Sequence, residues 1–303
     1  MTRKILLLGR EGQLGFELRR SLAPLGVVMA AGRRDGDLTQ PLQLARLIRR
    51  EKPDVVVNAA GFTAVERAEE DPVRAMRING EAAGELSALA ACRGALIVHY
   101  SSDYVFDGDK PGPYTEADAP APLNAYGRSK LAGERAVVAM NPAHLVFRTS
   151  WIYGVFGDNF LKTVLMALRR AEALRVVDDQ RGAPTGASFI ADATALVVAR
   201  YLANGRDGFP FGLYHLAAAG VASWHEYACF IAGQARRAGL PVNLRPEDIQ
   251  AVSSGQYPAA ARRPLNSCLD TRRLARVFGI HAPPWQDGVA HALAALAGSR
   301  SPG

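Results

Sequence analysis

The stretch KILLLGREGQLG, from Lys4 to Gly15, decides the fold that we predict for this chain of 303 residues. Its first five residues, Lys4–Leu8, form a short apolar run typical of a buried β-strand. A turn with three glycines follows, and an amphipathic segment from Phe16 to Leu25 then predicts a helix. Strand, glycine-rich turn and helix, in this order, are the context of a dinucleotide-binding turn.

The three glycines of this turn have separate roles in such a site. Gly9 permits the tight turn, Gly12 lets the backbone approach a pyrophosphate, and Gly15 lets the helix pack closely on the strand. The first turn of the helix then presents free N–H groups and the positive end of its dipole to the phosphates. We therefore predict that this turn binds a nucleotide.

The end of the second predicted strand, Val27–Ala31, bears on which nucleotide is bound. A site for NAD usually has an acidic residue there, which binds the ribose hydroxyls. This chain has Gly32, Arg33 and Arg34 instead, and two guanidinium groups suit a phosphate. We predict that NADPH is preferred and that NADH is possible. The alternative is a solvated basic loop, because Arg-Arg pairs recur along the chain.

Further strands alternate with helical stretches, which predicts an α/β fold. The third strand, Asp54–Asn58, ends in small residues that allow a cofactor to pass close to the backbone, and the fourth is Ala95–Tyr100. The architecture we expect is a Rossmann-like, doubly wound parallel sheet with right-handed crossovers. A helix is predicted over 40–50, capped by Thr39. The residues expected to line the cofactor in this part of the chain are Asp37, Leu38, Ala60, Gly61, Phe62 and Thr63.

A serine and a Tyr-x-x-x-Lys pair follow the fourth strand. Tyr126 and Lys130 lie one turn apart on a predicted helix, Ala125–Val138, with Asn124 as its N-cap. The ammonium is expected to lower the pKa of the phenol, so that Tyr126 can act as a general acid. Ser102 would hydrogen-bond a carbonyl oxygen as that oxygen gains negative charge. This set predicts hydride transfer without a metal, although a chance occurrence of the pair is the alternative.

The second half of the chain carries the candidate substrate residues. Trp151 leaves a predicted strand, His144–Thr149, and is either a core anchor or a flat wall for a ring. Arg263 and its neighbours, up to Asn266, offer guanidinium groups suited to a diphosphate, or form another basic loop. We predict an NAD(P)-binding domain over 1–150, with about 178–203 packing back onto it. A smaller α+β substrate-binding region would comprise 151–177 and 204–303.

Composition narrows the class of protein. The chain is 49% apolar and 21% charged, and no apolar run approaches the ~18 residues of a membrane span. The three cysteines lack metal-ligand spacing and predict thiols in a reducing cytoplasm. The net charge of +7 comes from 31 arginines against 5 lysines that form no concentrated basic tract. We therefore expect anionic small-molecule substrates, and neither nucleic acid nor membrane as a partner.

Taken together, these motifs resemble the extended short-chain dehydrogenase/reductase superfamily and, within it, the dTDP-4-dehydrorhamnose reductase family. The resemblance runs nearly end to end. Its more specific parts are the serine-aspartate segment, Ser101 to Phe106, and the segment from Asp179 to Thr185. It implies NADPH-dependent reduction of the 4-keto group of dTDP-4-dehydro-β-L-rhamnose to dTDP-L-rhamnose.

The resemblance also assigns roles to individual residues. It implies that Tyr126 is the acid, that Lys130 binds the nicotinamide ribose and tunes Tyr126, and that Ser102 orients the sugar ketone. Asp103 and Trp151 would contact the sugar. The remaining cofactor contacts that it implies are Gly12, Gln13 and Leu14 at the pyrophosphate, and Asp37, Leu38, Gly61, Phe62, Thr63 and Tyr100 elsewhere.

The chain departs from the family pattern at three places. Serine replaces the common threonine at Ser102 and keeps the hydroxyl, and the acidic residue after the second strand is missing. Some relatives form dimers bridged by magnesium held by glutamates. Here Glu17 persists, but Ser188 stands where one such glutamate is expected, and a hydroxyl brings no charge to magnesium. We expect no magnesium-bridged dimer, and a monomer or a homodimer remains open.

Two other functions share this fold. Another nucleotide-sugar reductase, epimerase or dehydratase would have the same glycine turn and the Tyr126–Lys130 pair, but a dehydratase usually has an Asp-Glu pair where this chain has Asp103 and Tyr104. A non-catalytic NADP-binding regulatory subunit, like the β subunit of methionine adenosyltransferase, is the second alternative. It predicts cofactor binding without turnover.

Overall fold

The structure is a computed structural model that describes residues 2–170, 173–257 and 259–298. The strands are β1 (Lys4–Leu8), β2 (Val27–Ala31), β3 (Val55–Asn58), β4 (Leu96–Ser102), β5 (His144–Thr149), β6 (Ile152–Tyr153), β7 (Leu174–Val177), β8 (Arg181–Gly182), β9 (Thr185–Gly186), β10 (Gly212–His215), β11 (Ala222–Ser223) and β12 (Ile249–Val252). The helices are α1 (Gln13–Leu22), α2 (Pro41–Glu51), α3 (Val65–Glu70), α4 (Pro72–Met76), α5 (Ala82–Cys92), α6 (Ala125–Met140), α7 (Phe160–Arg170), α8 (Ala187–Asn204), α9 (Trp224–Arg237), α10 (Arg272–Phe278) and α11 (Trp285–Gly298).

Six parallel strands form the central sheet, in the order β10-β5-β4-β3-β1-β2. The chain passes from β1 to β2 on one side and then returns to β3 on the other side of β1. Such a reversal opens a crevice at the carboxyl ends of β1 and β3, where sheets of this kind bind their ligands. The predicted doubly wound parallel sheet is confirmed.

Both faces of this sheet are covered, which explains why its strands are near-continuous apolar runs. Alternate residues of each strand point to opposite faces. One face of β1, with Ile5 and Leu7, packs against α1 and α8. The other face, with Leu6 and Leu8, lies over a cluster that includes residues of α2, α5 and α6.

A second apolar cluster comes mainly from α7, α9 and α11, with Tyr227 and Trp285 at its centre. Three two-stranded sheets, β6-β9, β8-β11 and β7-β12, accompany it. α8, which falls within the predicted 178–203, packs on α1, and β10, which falls within 204–303, joins the central sheet. The division into two domains stays a prediction. No helix in the described part of the chain is long and apolar enough to cross a membrane.

The first residues of α1 and α2 differ from the predicted ones, because the N-cap residues are not those expected. α1 begins at Gln13, three residues before the predicted start, because Gly12 serves as its N-cap. α2 begins at Pro41, a residue that favours the first helical position, and its N-cap is Gln40. The predicted cap, Thr39, instead donates its N–H and its hydroxyl to the Asp37 carboxylate, each at 2.8 Å.

Candidate active site

The glycine-rich turn lies at the reversal point of the sheet. Gly9 has a left-handed φ of +85°, and its N–H donates to the carbonyl of Ala31 at 3.0 Å. A Cβ on Gly9 would stand 2.7 Å from the backbone N of Ala60, and one on Gly15 would stand 2.0 Å from the carbonyl oxygen of Gly9. Only glycine allows these close approaches, which draw β1, β3 and α1 together.

The backbone is open at Gly12, where the pyrophosphate is predicted to bind. A Cβ on Gly12 would meet only the Gly9 carbonyl oxygen within 4 Å, at 3.4 Å, so the backbone is open on that side. The two residues after it begin α1. The Gln13 side chain accepts a hydrogen bond from the Asn159 side chain at 2.9 Å, and the Leu14 side chain is buried. Both offer backbone N–H groups of the first helical turn to a phosphate.

Arginines surround the turn after β2. Arg33 and Arg34 are exposed and line an open cleft together with Arg10 and Glu11. The predicted adenine-side residues lie further on. Their side chains are engaged within the protein, since the carboxylate of Asp37 binds Thr39 and the side chain of Leu38 is in the core.

One asparagine clamps the loop that follows β3. The Asn79 side chain accepts from the N–H of Phe62 at 2.8 Å and donates to the carbonyl of the same residue at 2.9 Å. It also contacts the Ser129 hydroxyl at 2.9 Å, on the catalytic helix α6. Ala60 is held by the Asn58 side chain, while Gly61 and Thr63 are exposed. These contacts fix the predicted cofactor loop relative to α6.

The sequence analysis missed Asn79. It lies 1% exposed in a π-helical turn, Arg77–Glu81, between α4 and α5. π-turns inside helices are frequent at functional sites. Asn79 stands between Arg77 and Glu81, and no sequence pattern distinguishes it from an exposed polar residue.

The predicted catalytic side chains meet at the carboxyl end of β4. Ser102 is the last residue of this strand, and its hydroxyl is close enough to Tyr126 to affect the pKa of the phenol. The Ser102 hydroxyl also donates to the Asp103 carboxylate at 2.8 Å and accepts from the Tyr104 N–H at 3.2 Å. Asn124 caps α6 as predicted, accepting from the Gly127 N–H at 2.7 Å. The cap fixes where α6 starts, and hence where Tyr126 stands.

Lys130 points towards the same site from the next turn of α6. Its ammonium donates to the backbone carbonyl of Tyr100 at 2.5 Å and is buried. Burial lowers the pKa of Lys130 to about 8, and the charge of Glu134 acts against that decrease. The Tyr100 phenol, by contrast, hydrogen-bonds Thr194 inside the core, so only the backbone of Tyr100 faces the site.

The pKa of Tyr126 is raised, whereas the sequence predicted that it would be lowered. Burial raises the pKa of Tyr126 to about 12, with the hydrogen bond from Ser102 acting in the opposite direction and the charge of Asp103 adding to the increase. Lys130 is not among the groups that shift this pKa, and its ammonium donates to the Tyr100 carbonyl. Asp103 is itself 3% exposed, and burial raises the pKa of its carboxyl to about 6.

Trp151 is packed between other groups. It adopts a left-handed φ of +45°, and its ring stacks on Trp224 at a centroid distance of 3.5 Å. A Cβ on Gly182 would stand 2.6 Å from an indole carbon, so only glycine fits against this ring. The Trp224 indole N–H donates to the Gln180 side chain at 3.2 Å. Contact of Trp151 with a sugar stays a prediction.

The predicted diphosphate residues make contacts within the protein. The Arg263 guanidinium pairs with Glu66 of α3 at 2.6 Å. The Asn266 amide donates to the carbonyls of Lys110 and Gly112, at 2.6 and 2.9 Å, and thereby fixes the loop before α6.

A cleft of about 300 Å³ lies next to Arg263 and Asn266. Its lining residues include Asp107, Gln180, Tyr257, Arg262 and Arg263. No cluster of three or more His, Cys, Asp or Glu side chains that could hold a metal occurs among residues 2–170, 173–257 and 259–298.

A glycine turn at the reversal point of a parallel sheet, with Ser102, Tyr126 and Lys130 converging beside it, defines a dinucleotide-dependent oxidoreductase of the short-chain type. The chain belongs to the RmlD substrate binding domain family, whose model matches residues 3–297. This confirms the predicted family resemblance.

Named relatives agree with this assignment along the whole chain. It is 45% identical, over 95% of its length and 96% of the relative, to a dTDP-4-dehydrorhamnose reductase of Shigella flexneri. It is 46% identical, over 94% of its length and 96% of the relative, to a dTDP-4-dehydrorhamnose reductase of Burkholderia thailandensis. A Bacillus anthracis dTDP-4-dehydrorhamnose reductase solved in complex with NADP superposes with a TM-score of 0.86 at 31% identity, covering 96% of this chain and 99% of that one.

Proposed function

We propose that this protein is an NADP-dependent dTDP-4-dehydrorhamnose reductase, which reduces the 4-keto group of dTDP-4-dehydro-β-L-rhamnose to give dTDP-L-rhamnose. The observation that carries this proposal is that Ser102, at the carboxyl end of β4, and Tyr126, near the start of α6, lie close enough for the Ser102 hydroxyl to act on the phenol. It stands in a chain 45% identical to a named reductase over 95% of its length. The two hydroxyls form a site for one ketone oxygen.

The residues divide the chemistry between them. When bound, NADPH supplies the hydride that attacks the carbonyl carbon. Tyr126 donates a proton to the ketone oxygen, and its raised pKa of about 12 keeps the phenol protonated at neutral pH until the more basic alkoxide develops. Ser102 turns its hydroxyl from Asp103 to the same oxygen and stabilises the developing negative charge.

Lys130 has an electrostatic role in this scheme. With a pKa of about 8, its ammonium is mostly charged at neutral pH, although it is buried. We propose that this buried cation favours the negative charge that develops on the substrate oxygen as the hydride arrives. Its contact with the Tyr100 carbonyl holds the side chain at the end of β4, where it would bind the nicotinamide ribose.

The residues around the turn fit a dinucleotide. Gly12 leaves the backbone open for the pyrophosphate, and the clamped loop after β3, Ala60 to Thr63, passes beside it. We propose that Arg33 and Arg34 bind the 2′-phosphate and make NADPH the preferred cofactor. Both are exposed and line the cleft at the end of β2, which supports this assignment.

The sugar nucleotide is proposed to lie on the other side of the catalytic hydroxyls. Asp103, whose carboxylate accepts from the Ser102 hydroxyl, would contact a sugar hydroxyl beside that residue. Trp151 would contact the sugar as well. Arg263 would reach the diphosphate by exchanging its bond to Glu66 for one to phosphate. The protein is proposed to work in the cytoplasm, as a monomer or a homodimer, with residues 1–150 and about 178–203 as its cofactor-binding domain.

The test is loss of the absorbance of NADPH in the presence of enzymatically generated dTDP-4-dehydro-L-rhamnose, with a control that lacks the sugar. We expect consumption that depends on the sugar and yields dTDP-L-rhamnose. Cofactor binding without consumption would overturn the proposal in favour of a regulatory subunit or of another keto-sugar.

A further inference from the structure

Glu11, in the glycine-rich turn, occupies the position where a side chain at the end of β2 would lie. A Cβ on Gly32 would stand 1.9 and 2.3 Å from the two carboxylate oxygens of Glu11. Gly32 is the residue at which a site for NAD usually has its acid. The carboxylate missing from the end of β2 is therefore present in space, but it is supplied by a different segment of the chain.

Neighbouring groups hold this carboxylate in place. Arg10 binds Glu11 Oε1 through its Nε at 3.1 Å. The same guanidinium donates to the Ala30 carbonyl at 3.1 Å and pairs with Asp35 at 3.1 Å, so it is anchored to the end of β2. The Glu11 side chain is 61% exposed, which leaves its second oxygen accessible to a ligand.

We propose that Glu11 binds the adenosine ribose hydroxyls of NADH and thereby sets the balance between NADH and NADPH. This inference rests on the proposed function, because it requires a dinucleotide in the glycine-rich turn. A carboxylate is an acceptor-only group that pairs well with two adjacent hydroxyls. The same negative charge repels a 2′-phosphate, so it opposes Arg33 and Arg34, which line the same cleft.

The three nearest atoms to a Cβ on Gly32 all belong to the Glu11 carboxylate, and the backbone of Gly32 is not in the left-handed region. This carboxylate is the end of a flexible, exposed side chain, so it can move aside for a larger residue at position 32. An acid at residue 32 would still bring two like charges together, and we expect aspartate at the strand end to be accommodated best once Glu11 is truncated.

The experiment measures the dissociation constants of NADH and of NADPH with the full chain by calorimetry, without sugar. Glu11→Gln is expected to raise the Kd of NADH about tenfold, as for loss of one hydrogen bond to a charged group. The Kd of NADPH is expected to fall about threefold as the repulsion is removed. Glu247→Gln, at a glutamate of similar exposure on the other part of the chain, should change neither.

A second variant tests the position of the carboxylate rather than the integrity of the turn. Glu11→Ala combined with Gly32→Asp returns the carboxylate to the strand end and should restore NADH binding, whereas Glu11→Ala alone should not. Equal changes for both dinucleotides, or none, would overturn this inference and leave the proposed function standing. A wild-type chain that binds neither dinucleotide would overturn both.

Discussion

Burial acts in opposite directions on the two titratable side chains that α6 brings to the site. It raises the pKa of Tyr126 to about 12 and lowers that of Lys130 to about 8. Each shift favours the neutral form of its side chain. At neutral pH the phenol therefore keeps its proton and the ammonium is still mostly charged, which is the pairing that proton donation to a ketone needs.

Removing the phenol hydroxyl tests the proton donor. Tyr126→Phe keeps the ring, including its edge contact with Tyr104 at 5.7 Å, and removes only the acid. We expect turnover to fall by about 10²- to 10⁴-fold, with the Kd of NADPH unchanged. Steady-state kinetics and calorimetry check the two parts. Tyr201→Phe, which removes a phenol hydroxyl in the core contact of α8, is the matched control. If turnover of Tyr126→Phe stays within a few-fold of wild type, Tyr126 is not the proton donor.

Asp103 should reduce stability at neutral pH. Its pKa is raised to about 6 from an ordinary 3.8, so its charged form is penalised in the folded chain. The stability it contributes is present below about pH 4 and is lost as the pH rises through 6. Asp103→Asn should therefore stabilise the protein by about 2 kcal/mol at neutral pH and by little near pH 4.

Urea unfolding at both pH values checks this prediction. Asp118→Asn is the control with the opposite sign, because Lys110 and Thr115 lower the pKa of Asp118 to about 2. That carboxylate stabilises the fold above its ordinary pKa, and its loss should destabilise the protein at neutral pH. A destabilised Asp103→Asn at neutral pH would show that the carboxylate is compensated by partners.

At the scale of elements, α6 is fixed at three points along its length. Asn124 caps its start, Ser129 contacts Asn79, and Glu134 binds Arg148 of β5 through two bonds of 2.8 and 2.7 Å. The two charged side chains of the last contact are each 4% exposed. A buried pair of this kind is costly to break, because each charge left alone is desolvated.

Glu134→Gln should therefore affect both stability and pH dependence. We expect a loss of about 3–5 kcal/mol of unfolding free energy, measured in urea, because Arg148 is left buried without its partner. Glu134 also supports the charged form of Lys130. Its loss should lower the pKa of Lys130 further, so that activity falls at a lower pH on the alkaline side.

Two further variants separate these effects. Glu85→Gln breaks the more exposed pair with Arg77 and should cost at most about 1 kcal/mol. If Glu134→Gln does not fold, the double change Glu134→Leu and Arg148→Met removes the pair without leaving a charge behind, and the alkaline shift should persist in it. If the pH at which activity falls on the alkaline side is the same in these variants as in the wild type, activity does not need the charge of Lys130.

The loop after β2 should decide how well NADPH is bound. Arg33→Ala with Arg34→Ala is expected to raise the KM for NADPH about tenfold and that for NADH much less, because only NADPH carries the 2′-phosphate. Arg49→Ala with Arg50→Ala changes a comparable exposed pair on α2 and serves as the control. Equal effects on the two cofactors would show that the arginines do not contact the 2′-phosphate.

At the scale of the whole molecule, the chain order of the strands brings the two halves of the site together. β1 and β3 carry the glycine turn and the clamped loop, while β4 delivers the proposed catalytic serine beside them. Two distant parts of the second half of the chain are joined where the Ser267 N–H donates to the Arg181 carbonyl at 2.7 Å. In the proposed function, the cofactor and the sugar meet at the carboxyl ends of the strands.

Local patterns predicted most of this arrangement, and long-range contacts account for what they missed. The bounds of β1, β2 and β5 agree with the predicted ones, because an apolar run can be recognised within the strand itself. The pair of Arg263 with Glu66 joins residues 197 positions apart, and no local pattern indicates it. The contact of Glu11 with Gly32 and the clamp by Asn79 likewise depend on tertiary packing.

The most direct test of the central claim is transfer of deuterium from NADPH labelled at C4 of the nicotinamide to the sugar. Both C4-labelled epimers are offered separately with dTDP-4-dehydro-L-rhamnose, and the product is analysed by mass spectrometry and NMR. We predict one deuterium at C4 of the rhamnose from one epimer only. Sugar without label, or label at another carbon, would contradict hydride transfer to the 4-keto group.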